Sequence, residues 1–182
     1  MKRLSLIFTA LMLVCGSVFT SGTKAEGEFP VGTTVENFKL PDTSGSIKSF
    51  NDLKGEKGAI VVFLSVQCPV VKSYDERIVQ LAAEYGKKGI NFIGINSNST
   101  ETTEKVKSHA EEKYAFPVLI DKGNVLADQF AANATPEVLY FDASGKLLYR
   151  GAIDNSRNGD SITATYLRDA LFAIPASKAS LR

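Results

Sequence analysis

The sequence predicts an α/β fold in which a mixed central sheet carries helices on both faces. Residues 59–64 (AIVVFL) form a continuous run of apolar, largely β-branched side chains that is too short for a helix. Because apolar and polar residues do not alternate along it, the run indicates a strand that is covered on both faces. Strand-like and helix-like segments then follow in the order βαβαβαββα, and the last two strands form a hairpin pattern.

The segment after this first strand has the clearest helical pattern. Apolar residues recur at intervals of three and four, which places them on one face of about four helical turns; they are Val71, Tyr74, Ile78, Leu81 and Tyr85. Glycines bracket the predicted end, and Lys87 and Lys88 lie where the helix dipole favours cations. We therefore predict a helix that begins near Pro69 and ends between Gly86 and Gly89.

The other elements are predicted with the same periodicities. Residues 38–53 contain turn signals and indicate short extended pieces. The segments that follow are strands at 90–95, 117–120, 137–142 and 146–150, and helices at 101–114, 124–132 and 161–174. Pro175 is predicted to end the last helix. Since no linker or repeat is visible, we expect one domain over residues 29–176, followed by a tail at 177–182.

Composition and charge exclude several classes of function. The chain has 182 residues, of which 44% are hydrophobic and 23% charged, as in an ordinary globular protein. Its 21 Lys and Arg residues balance 20 Asp and Glu residues, which argues against nucleic-acid binding and against a membrane-surface role. One histidine and two cysteines cannot supply a structural zinc cluster or a disulfide scaffold. We expect no metal and no other cofactor.

The first 25 residues have the pattern of a secretory signal peptide. Lys2 and Arg3 precede the apolar segment 4–19, and a small-x-small cleavage site ends at Ala25. An uncleaved anchor is disfavoured, because the apolar segment is shorter than the roughly 20 residues of a spanning helix. A lipoprotein modified at Cys15 is disfavoured because Val14 is not small. We expect an exported protein, periplasmic or extracellular, with no membrane attachment after cleavage.

Cys68 is the one cysteine of the processed chain, and it lies where the first buried strand gives way to the long helix. Free N–H groups and the dipole at a helix N-terminus stabilise an anion, which lowers a thiol pKa from its usual value of about 8.5. Pro69 fits the first helical turn, because the N–H that it lacks would have no partner there. The alternative is a small, inert core residue, but this position favours a reactive thiol.

Thr135 and Pro136 stand directly before the strand predicted at 137–142. A proline that enters a strand cannot donate to the ladder, and X-Pro bonds tolerate both isomers, so this bond is a candidate cis peptide. Taken alone, an ordinary trans bond is the more common outcome.

Together these features resemble the thioredoxin-like superfamily, in which a Cys-Pro pair at a strand–helix junction is followed by a Thr-Pro pair at a strand start and then by a hairpin. Residues 63–71 (FLSVQCPVV), with Tyr74 and Arg77, resemble the redoxin branch related to alkyl hydroperoxide reductase and thiol-specific antioxidant proteins. The resemblance covers about residues 29–176. It implies a thioredoxin fold with an N-terminal extension and an inserted strand–helix unit, and a cis Pro136 packed beside Cys68.

Several positions depart from the patterns of these families. The second cysteine of thioredoxins falls at Val71, which makes a dithiol cycle within one processed chain impossible. Ser65 occupies the position of the peroxiredoxin threonine and keeps a hydroxyl, but the position of the peroxiredoxin proline holds Val61. The second cysteine of copper-delivery redoxins falls at Lys72, which disfavours a copper role.

Two arginines are candidate partners of the thiol. A guanidinium near Cys68, from Arg150 or with less support from Arg77, would stabilise the thiolate and polarise a peroxide oxygen. The alternative for either arginine is a surface cation, paired with Asp75 or Asp154.

Two further charged residues are expected to stay outside the chemistry. Glu137 could relay a proton, but a solvated acid at a strand edge is the favoured interpretation. His109 lies in a charged helix with Glu111, Glu112 and Lys113, and it is expected to face solvent rather than bind a ligand.

These observations predict an exported thiol-dependent oxidoreductase, specifically a one-cysteine peroxiredoxin-like antioxidant. Cys68 would reduce a peroxide, become a sulfenic acid, and be regenerated by an external thiol reductant. The predicted site comprises Cys68, Pro136, Thr135, Ser65 and Arg150. One alternative is a thiol–disulfide exchange protein that forms mixed disulfides with substrate proteins, and another is a non-catalytic binding module. A homodimer linked through Cys68 is one allowed oxidised form.

Overall fold

The computed structural model describes residues 29–179, with side chains described through Ala173. The predicted signal peptide and residues 180–182 lie outside this range. In chain order the elements are β1 Lys39–Pro41, β2 Ile47–Ser49, α1 Phe50–Leu53, β3 Gly58–Leu64, α2 Pro69–Gly86, β4 Ile90–Asn96, α3 Thr103–Lys113, β5 Val118–Ile120, α4 Val125–Gln129, β6 Glu137–Asp142, β7 Leu147–Gly151 and α5 Tyr166–Ala179. No helix within the described range combines the length and apolarity needed to cross a bilayer.

The central sheet is mixed, as predicted. Its five strands lie in the order β5-β4-β3-β6-β7, while β1 and β2 form a separate antiparallel pair. β3 runs parallel to β4, and β4 runs parallel to β5. β6 is antiparallel to both β3 and β7. The carboxyl ends of the three parallel strands therefore meet at one edge of the sheet, and Cys68 follows β3 at that edge.

β3 is buried along its whole length, which confirms the interpretation of its unbroken apolar run. Its alternate side chains enter two hydrophobic clusters, one on each face of the sheet. Ile60, Val62 and Leu64 pack with α2, α3 and α5. Ala59, Val61 and Phe63 pack with aromatic and aliphatic residues of α1 and α4. Helices on both faces follow from this double burial.

α2 buries the stripe that its sequence predicts. All five of its periodic apolar residues are buried, and Asp75 is buried with them. Full burial of each large aliphatic side chain contributes about 1.5–3 kcal/mol, so this stripe anchors the helix firmly on the sheet. The N-terminus of α2, and with it Cys68, is thereby held at the carboxyl edge.

Gly58 allows β3 to begin close against β6. Its φ is +116°, and a Cβ at this position would lie 2.0 Å from the carbonyl oxygen of Phe141. A side chain at residue 58 would therefore force the two strands apart.

The structure differs from the predicted elements at several places, of which the two ends of the last helix and the presence of α1 are the clearest. α5 begins at Tyr166 rather than at residue 161, because the side chain of Asn155 bonds Thr163 and the N–H of Ala164 and holds that segment in a loop. Pro175 lies inside α5 and does not end it. α1 was not predicted, although Ser49 and Asp52 form a reciprocal capping box that signals a helix start.

Candidate functional site

Cys68 occupies the N-cap position of α2. Its backbone is extended, with φ −73° and ψ 116°, and Pro69 is the first helical residue. A turn closed by the bond from Cys68 N to the Ser65 carbonyl oxygen, at 3.2 Å, joins β3 to the helix. Cys68 is partly exposed. The predicted strand–cysteine–helix junction is thus confirmed.

The Thr135–Pro136 bond is cis, as the resemblance implied. The Sγ of Cys68 lies 3.4 Å from the carbonyl oxygen of Thr135, so the segment before β6 contacts the sulfur. Only the protonated thiol can donate a hydrogen bond to that carbonyl, because a thiolate has no proton and can only accept hydrogen bonds. The structure therefore places Thr135 in contact with Cys68, and Pro136 follows Thr135 across the cis bond.

The surroundings of Cys68 lower the pKa of its thiol. Burial raises that pKa, but hydrogen bonding by the Thr135 side chain and by the N–H groups of Val71 and Val70, together with the positive charge of Arg157, outweighs the effect of burial. Val70 and Val71 belong to the first turn of α2, where N–H groups have no intrahelical acceptor. The thiolate is therefore more populated at neutral pH than that of an ordinary cysteine.

Glu101 organises the turn that leads to Cys68. Its carboxylate accepts five hydrogen bonds of 2.6–3.0 Å, from Ser65 Oγ, the N–H groups of Val66 and Gln67, and the Nδ2 groups of Asn96 and Asn98. Burial raises the pKa of the Glu101 carboxyl, but these donors lower it by more. Glu101 is therefore held as a carboxylate. Sequence reasoning missed it, because no local pattern links residue 101 to a turn at 65–67.

The hydroxyl of Ser65 is directed at Glu101. It donates to Glu101 Oε1 at 2.6 Å and accepts from Asn98 Nδ2 at 3.1 Å. Ser65 itself is buried. Within the described residues its side chain makes these two hydrogen bonds and none to the sulfur of Cys68. Ser65 therefore holds the turn in place rather than presenting its hydroxyl to a ligand of the thiol.

Arg150 is bound to Glu137 beside the end of α4. Its Nε donates to Glu137 Oε1 at 2.6 Å, its Nη1 donates to the Phe130 carbonyl at 2.6 Å, and its Nη2 donates to the Ala131 carbonyl. Glu137 is buried, so its interpretation as a solvated edge acid is wrong. Glu137 also accepts from Asn133 N at 3.1 Å. The pair holds the segment that leads to the cis bond, and all three guanidinium nitrogens of Arg150 are bonded to Glu137 or to backbone carbonyls.

Arg77 ties a distant loop to α2. Its Nη1 lies 2.6 Å from Asp154 Oδ2 and 2.6 Å from the Ser156 carbonyl oxygen, and its Nη2 donates to the Arg157 carbonyl at 2.7 Å. The guanidinium also stacks on the ring of Tyr74 at 3.7 Å. The predicted alternative for Arg77, a pair with Asp154, is the arrangement that the structure adopts. The cation that acts electrostatically on Cys68 is Arg157, which sequence reasoning missed.

His109 lies against α2, and the expectation that it faces solvent is wrong. Its side chain is 15% exposed, and its Nε2 lies 3.4 Å from Asp75 Oδ2. The hydroxyl of Tyr114 donates to the other carboxylate oxygen of Asp75. This cluster lies about two helical turns beyond Cys68 and belongs to the contact between α2 and α3. Among the described residues, no group of three or more His, Cys, Asp or Glu side chains is arranged to hold a metal.

The mixed sheet, the cysteine at the N-cap position and the cis Thr135–Pro136 bond, whose Thr135 carbonyl contacts the sulfur, define a thioredoxin-fold oxidoreductase. The sequence model of the AhpC/TSA family matches residues 31–150, and the chain belongs to that family. The family match agrees with the resemblance carried by residues 63–71.

Similar proteins include bacterial thiol-disulfide oxidoreductases. The thiol-disulfide oxidoreductase ResA of a Bacillus cereus strain is 30% identical over 156 residues, which cover 81% of this chain and 88% of that relative. ResA of Halalkalibacterium halodurans is 27% identical over 149 residues, which cover 80% of this chain and 82% of the relative.

Solved structures confirm the thioredoxin-type fold. An uncharacterized conserved protein from Geobacillus kaustophilus has a TM-score of 0.74 at 34% identity, with 81% of this chain and 83% of the other covered. A putative thiol:disulfide interchange protein DsbE from Chlorobium tepidum has a TM-score of 0.66 at 18% identity, with 80% and 98% covered.

Proposed function

We propose that this protein is an exported thiol–disulfide oxidoreductase that works through mixed disulfides of Cys68. The observation that carries the proposal is the setting of the Cys68 sulfur, which lies at the N-terminus of α2 and 3.4 Å from the Thr135 carbonyl at the cis bond. A partly exposed thiol with a lowered pKa is the nucleophile that disulfide exchange needs. The similarity to thiol-disulfide oxidoreductases supports the same chemistry.

The exchange runs in three balanced steps. The Cys68 thiolate attacks one sulfur of a substrate disulfide, a mixed disulfide forms, and the other substrate sulfur leaves as a thiolate that takes a proton from solvent. An external thiolate then attacks Cys68 Sγ, forms a disulfide between Cys68 and the reductant, and releases the substrate as a dithiol after its second sulfur takes a proton. A second external thiolate attacks the reductant sulfur of that disulfide, which restores the Cys68 thiolate and leaves the two external sulfurs joined as the oxidised reductant. Two electrons pass from two external thiols to one substrate disulfide.

The reductant must be a separate molecule, because Cys68 is the one cysteine in residues 29–182. The partners are therefore a substrate protein and an external thiol. A homodimer linked through Cys68 is an oxidised form that the same thiol would reduce. Export rests on the pattern of residues 1–25, and the N-terminal mass of the protein recovered outside the cytoplasm tests it.

A peroxidase has less support than disulfide exchange. The AhpC/TSA match and the hydroxyl of Ser65 favour it. However, that hydroxyl is bonded to Glu101, and the guanidinium of Arg150 is bonded to Glu137 and two backbone carbonyls. Neither group is free to polarise a peroxide at the sulfur.

The test measures disulfide exchange and peroxide reduction on the same preparation. Reduced protein is mixed with an oxidised peptide disulfide at neutral pH, and the mixed disulfide on Cys68 is followed by mass spectrometry. Consumption of hydrogen peroxide is measured in parallel. We expect exchange at Cys68 about tenfold faster than at a cysteine in an unstructured peptide, because more of the sulfur is thiolate.

Two variants are matched controls. Cys68→Ser removes the thiol and should abolish exchange. The double variant Cys68→Ser, Ser73→Cys moves the thiol to an exposed position in the second turn of α2, away from the first-turn N–H groups; it should react as an ordinary cysteine. Rapid peroxide reduction without exchange would establish the peroxidase instead. If Cys68 neither exchanges disulfides nor reduces peroxide, the non-catalytic binding module is the interpretation that remains.

A further inference from the structure

Hydrogen bonds attach the loop that carries Arg157 to the second turn of α2. Nη2 of Arg77 donates to the Arg157 carbonyl oxygen at 2.7 Å and to the Ser73 carbonyl oxygen at 3.3 Å. Nη1 of the same arginine binds Asp154 and the Ser156 carbonyl. One guanidinium therefore joins the backbone of Arg157 to the second turn of the helix that Cys68 begins.

This attachment places Arg157 within reach of the reactive sulfur. The five residues from Cys68 to Ser73 span about 7.5 Å along a helix axis, which is comparable to the length of an arginine side chain. The charge of Arg157 acts on Cys68. The residue is exposed, and no carboxylate of residues 29–173 lies within ion-pair distance of it.

Two carboxylates of this region are bonded to other groups. Asp154 is paired with Arg77, and the carboxylate of Glu101 keeps its charge but accepts five hydrogen bonds from the turn at 65–67 and from Asn96 and Asn98. Lys72, in the first turn after Cys68, is also exposed. A molecule that approaches the sulfur therefore meets positive charge together with the positive end of the helix dipole.

We propose, building on the disulfide exchange proposed above, that Arg157 is a specificity-determining residue that favours substrate disulfides flanked by carboxylates. Arg77 is the positioning residue that holds it beside Cys68. A carboxylate next to the attacked sulfur is drawn to the guanidinium, whereas an ammonium group at the same place is repelled. The attack remains the exchange written above, so the charge alters the rate and leaves the products unchanged.

The test compares three small disulfides of similar shape and different charge. They are the anionic 3,3′-dithiodipropionate, the neutral bis(2-hydroxyethyl) disulfide and the cationic cystamine. The rate of mixed-disulfide formation on Cys68 is measured by mass at pH 7 and low salt, on the protein as isolated from expressing cells. A change in thiol pKa alters all three rates by the same factor, so the anionic-to-cationic ratio reports charge selection alone.

We expect the ratio to exceed one in the wild type and to fall about tenfold in Arg157→Gln. Arg157→Lys keeps the charge and should retain the ratio within about threefold. Arg77→Gln should lower the ratio as Arg157→Gln does, and the double variant should lower it no further. Lys57→Gln removes an exposed cation at the opposite end of β3 and should leave the ratio unchanged. High salt should shrink the wild-type preference.

Failure of the charge selection and failure of the proposed disulfide exchange give different results. Suppose that Cys68 of the wild type exchanges with all three disulfides, and that Arg157→Gln changes the three rates by the same factor. The charge selection is then wrong and the proposed function stands. If Cys68 of the wild type forms a mixed disulfide with all three compounds no faster than a cysteine in an unstructured peptide does, the exchange activity and the selection built on it are both wrong. An additive loss in the double variant would contradict the positioning role of Arg77, since it would show that the two arginines act separately.

Discussion

The hydroxyl of Ser65 donates a 2.6 Å hydrogen bond to the carboxylate of Glu101, directly before the turn that ends at Cys68. The same carboxylate accepts from the N–H groups of Val66 and Gln67. The backbone in front of the nucleophile is therefore held by a side chain from the loop after β4. Ser65 occupies the position of the peroxiredoxin threonine, and its hydrogen bond to Glu101 helps to hold the turn before Cys68.

Replacing Glu101 with glutamine should destabilise the fold. A glutamine presents one acceptor oxygen and an NH₂ group that faces other donors, so buried N–H groups lose their partners. We expect a loss of about 2–3 kcal/mol in the free energy of unfolding, measured by urea titration. Glu104→Gln, at an exposed position of α3, is the control and should change stability by less than about 0.5 kcal/mol. Equal urea midpoints for the two variants would contradict the role of Glu101.

Ser65→Ala should leave disulfide exchange largely intact. The variant loses one hydrogen bond to Glu101, so stability should fall by about 1 kcal/mol. The rate of mixed-disulfide formation should stay within about threefold of wild type, because the hydroxyl is bonded away from the sulfur. A loss of exchange much larger than this, with unchanged stability, would show that the hydroxyl acts at the sulfur.

The rate of Cys68 alkylation should have its pH midpoint below about 8.5, the value for a free cysteine. The shift has a consequence for stability. Because the folded pKa of Cys68 is lowered, its ionisation stabilises the fold fully above the unfolded pKa, and this stabilisation is lost as the pH falls through the folded pKa. Relative to Cys68→Ser, the wild type should therefore gain stability as the pH rises across that interval. A midpoint at or above the free-cysteine value would contradict the assignment.

Arg150→Met should destabilise the protein without a large change at the thiol. The variant leaves the buried carboxylate of Glu137 without its cation, which costs about 3–5 kcal/mol in unfolding free energy. Adding Glu137→Gln should recover part of the loss. The control is Arg168→Met, which breaks a more exposed pair with Glu84 and should cost less than about 1 kcal/mol.

The pH midpoint of Cys68 alkylation separates the two roles considered for Arg150. We expect Arg150→Met to shift that midpoint less than Arg157→Gln does, because the contacts of Arg150 are with Glu137 and the Phe130 and Ala131 carbonyls. A larger shift in Arg150→Met would restore Arg150 as a partner of the thiolate.

The sequence by itself determined the central strand, the long helix after it and the location of the thiol between them. The unbroken apolar run at 59–64 and the three–four spacing from Val71 to Tyr85 each encode a local periodicity, and both elements formed as predicted. The end of a strand followed by a helix start also places Cys68 among free N–H groups, since helix geometry alone creates those donors. The cis bond at Pro136 was reached through resemblance, because the residues alone favour trans.

Tertiary structure alone decided which charged groups serve the thiol. Glu101 reaches the turn before Cys68 because β3 and β4 lie side by side, and Arg77 binds the loop that carries Arg157 to α2. Arg150, which the sequence analysis considered as a partner of the Cys68 thiolate, pairs with Glu137 instead. Periodicity records which face of an element is apolar. The choice of partner for a charged side chain depends on distances that exist only after the sheet and its loops have assembled, and on the cost of leaving a buried charge unpaired.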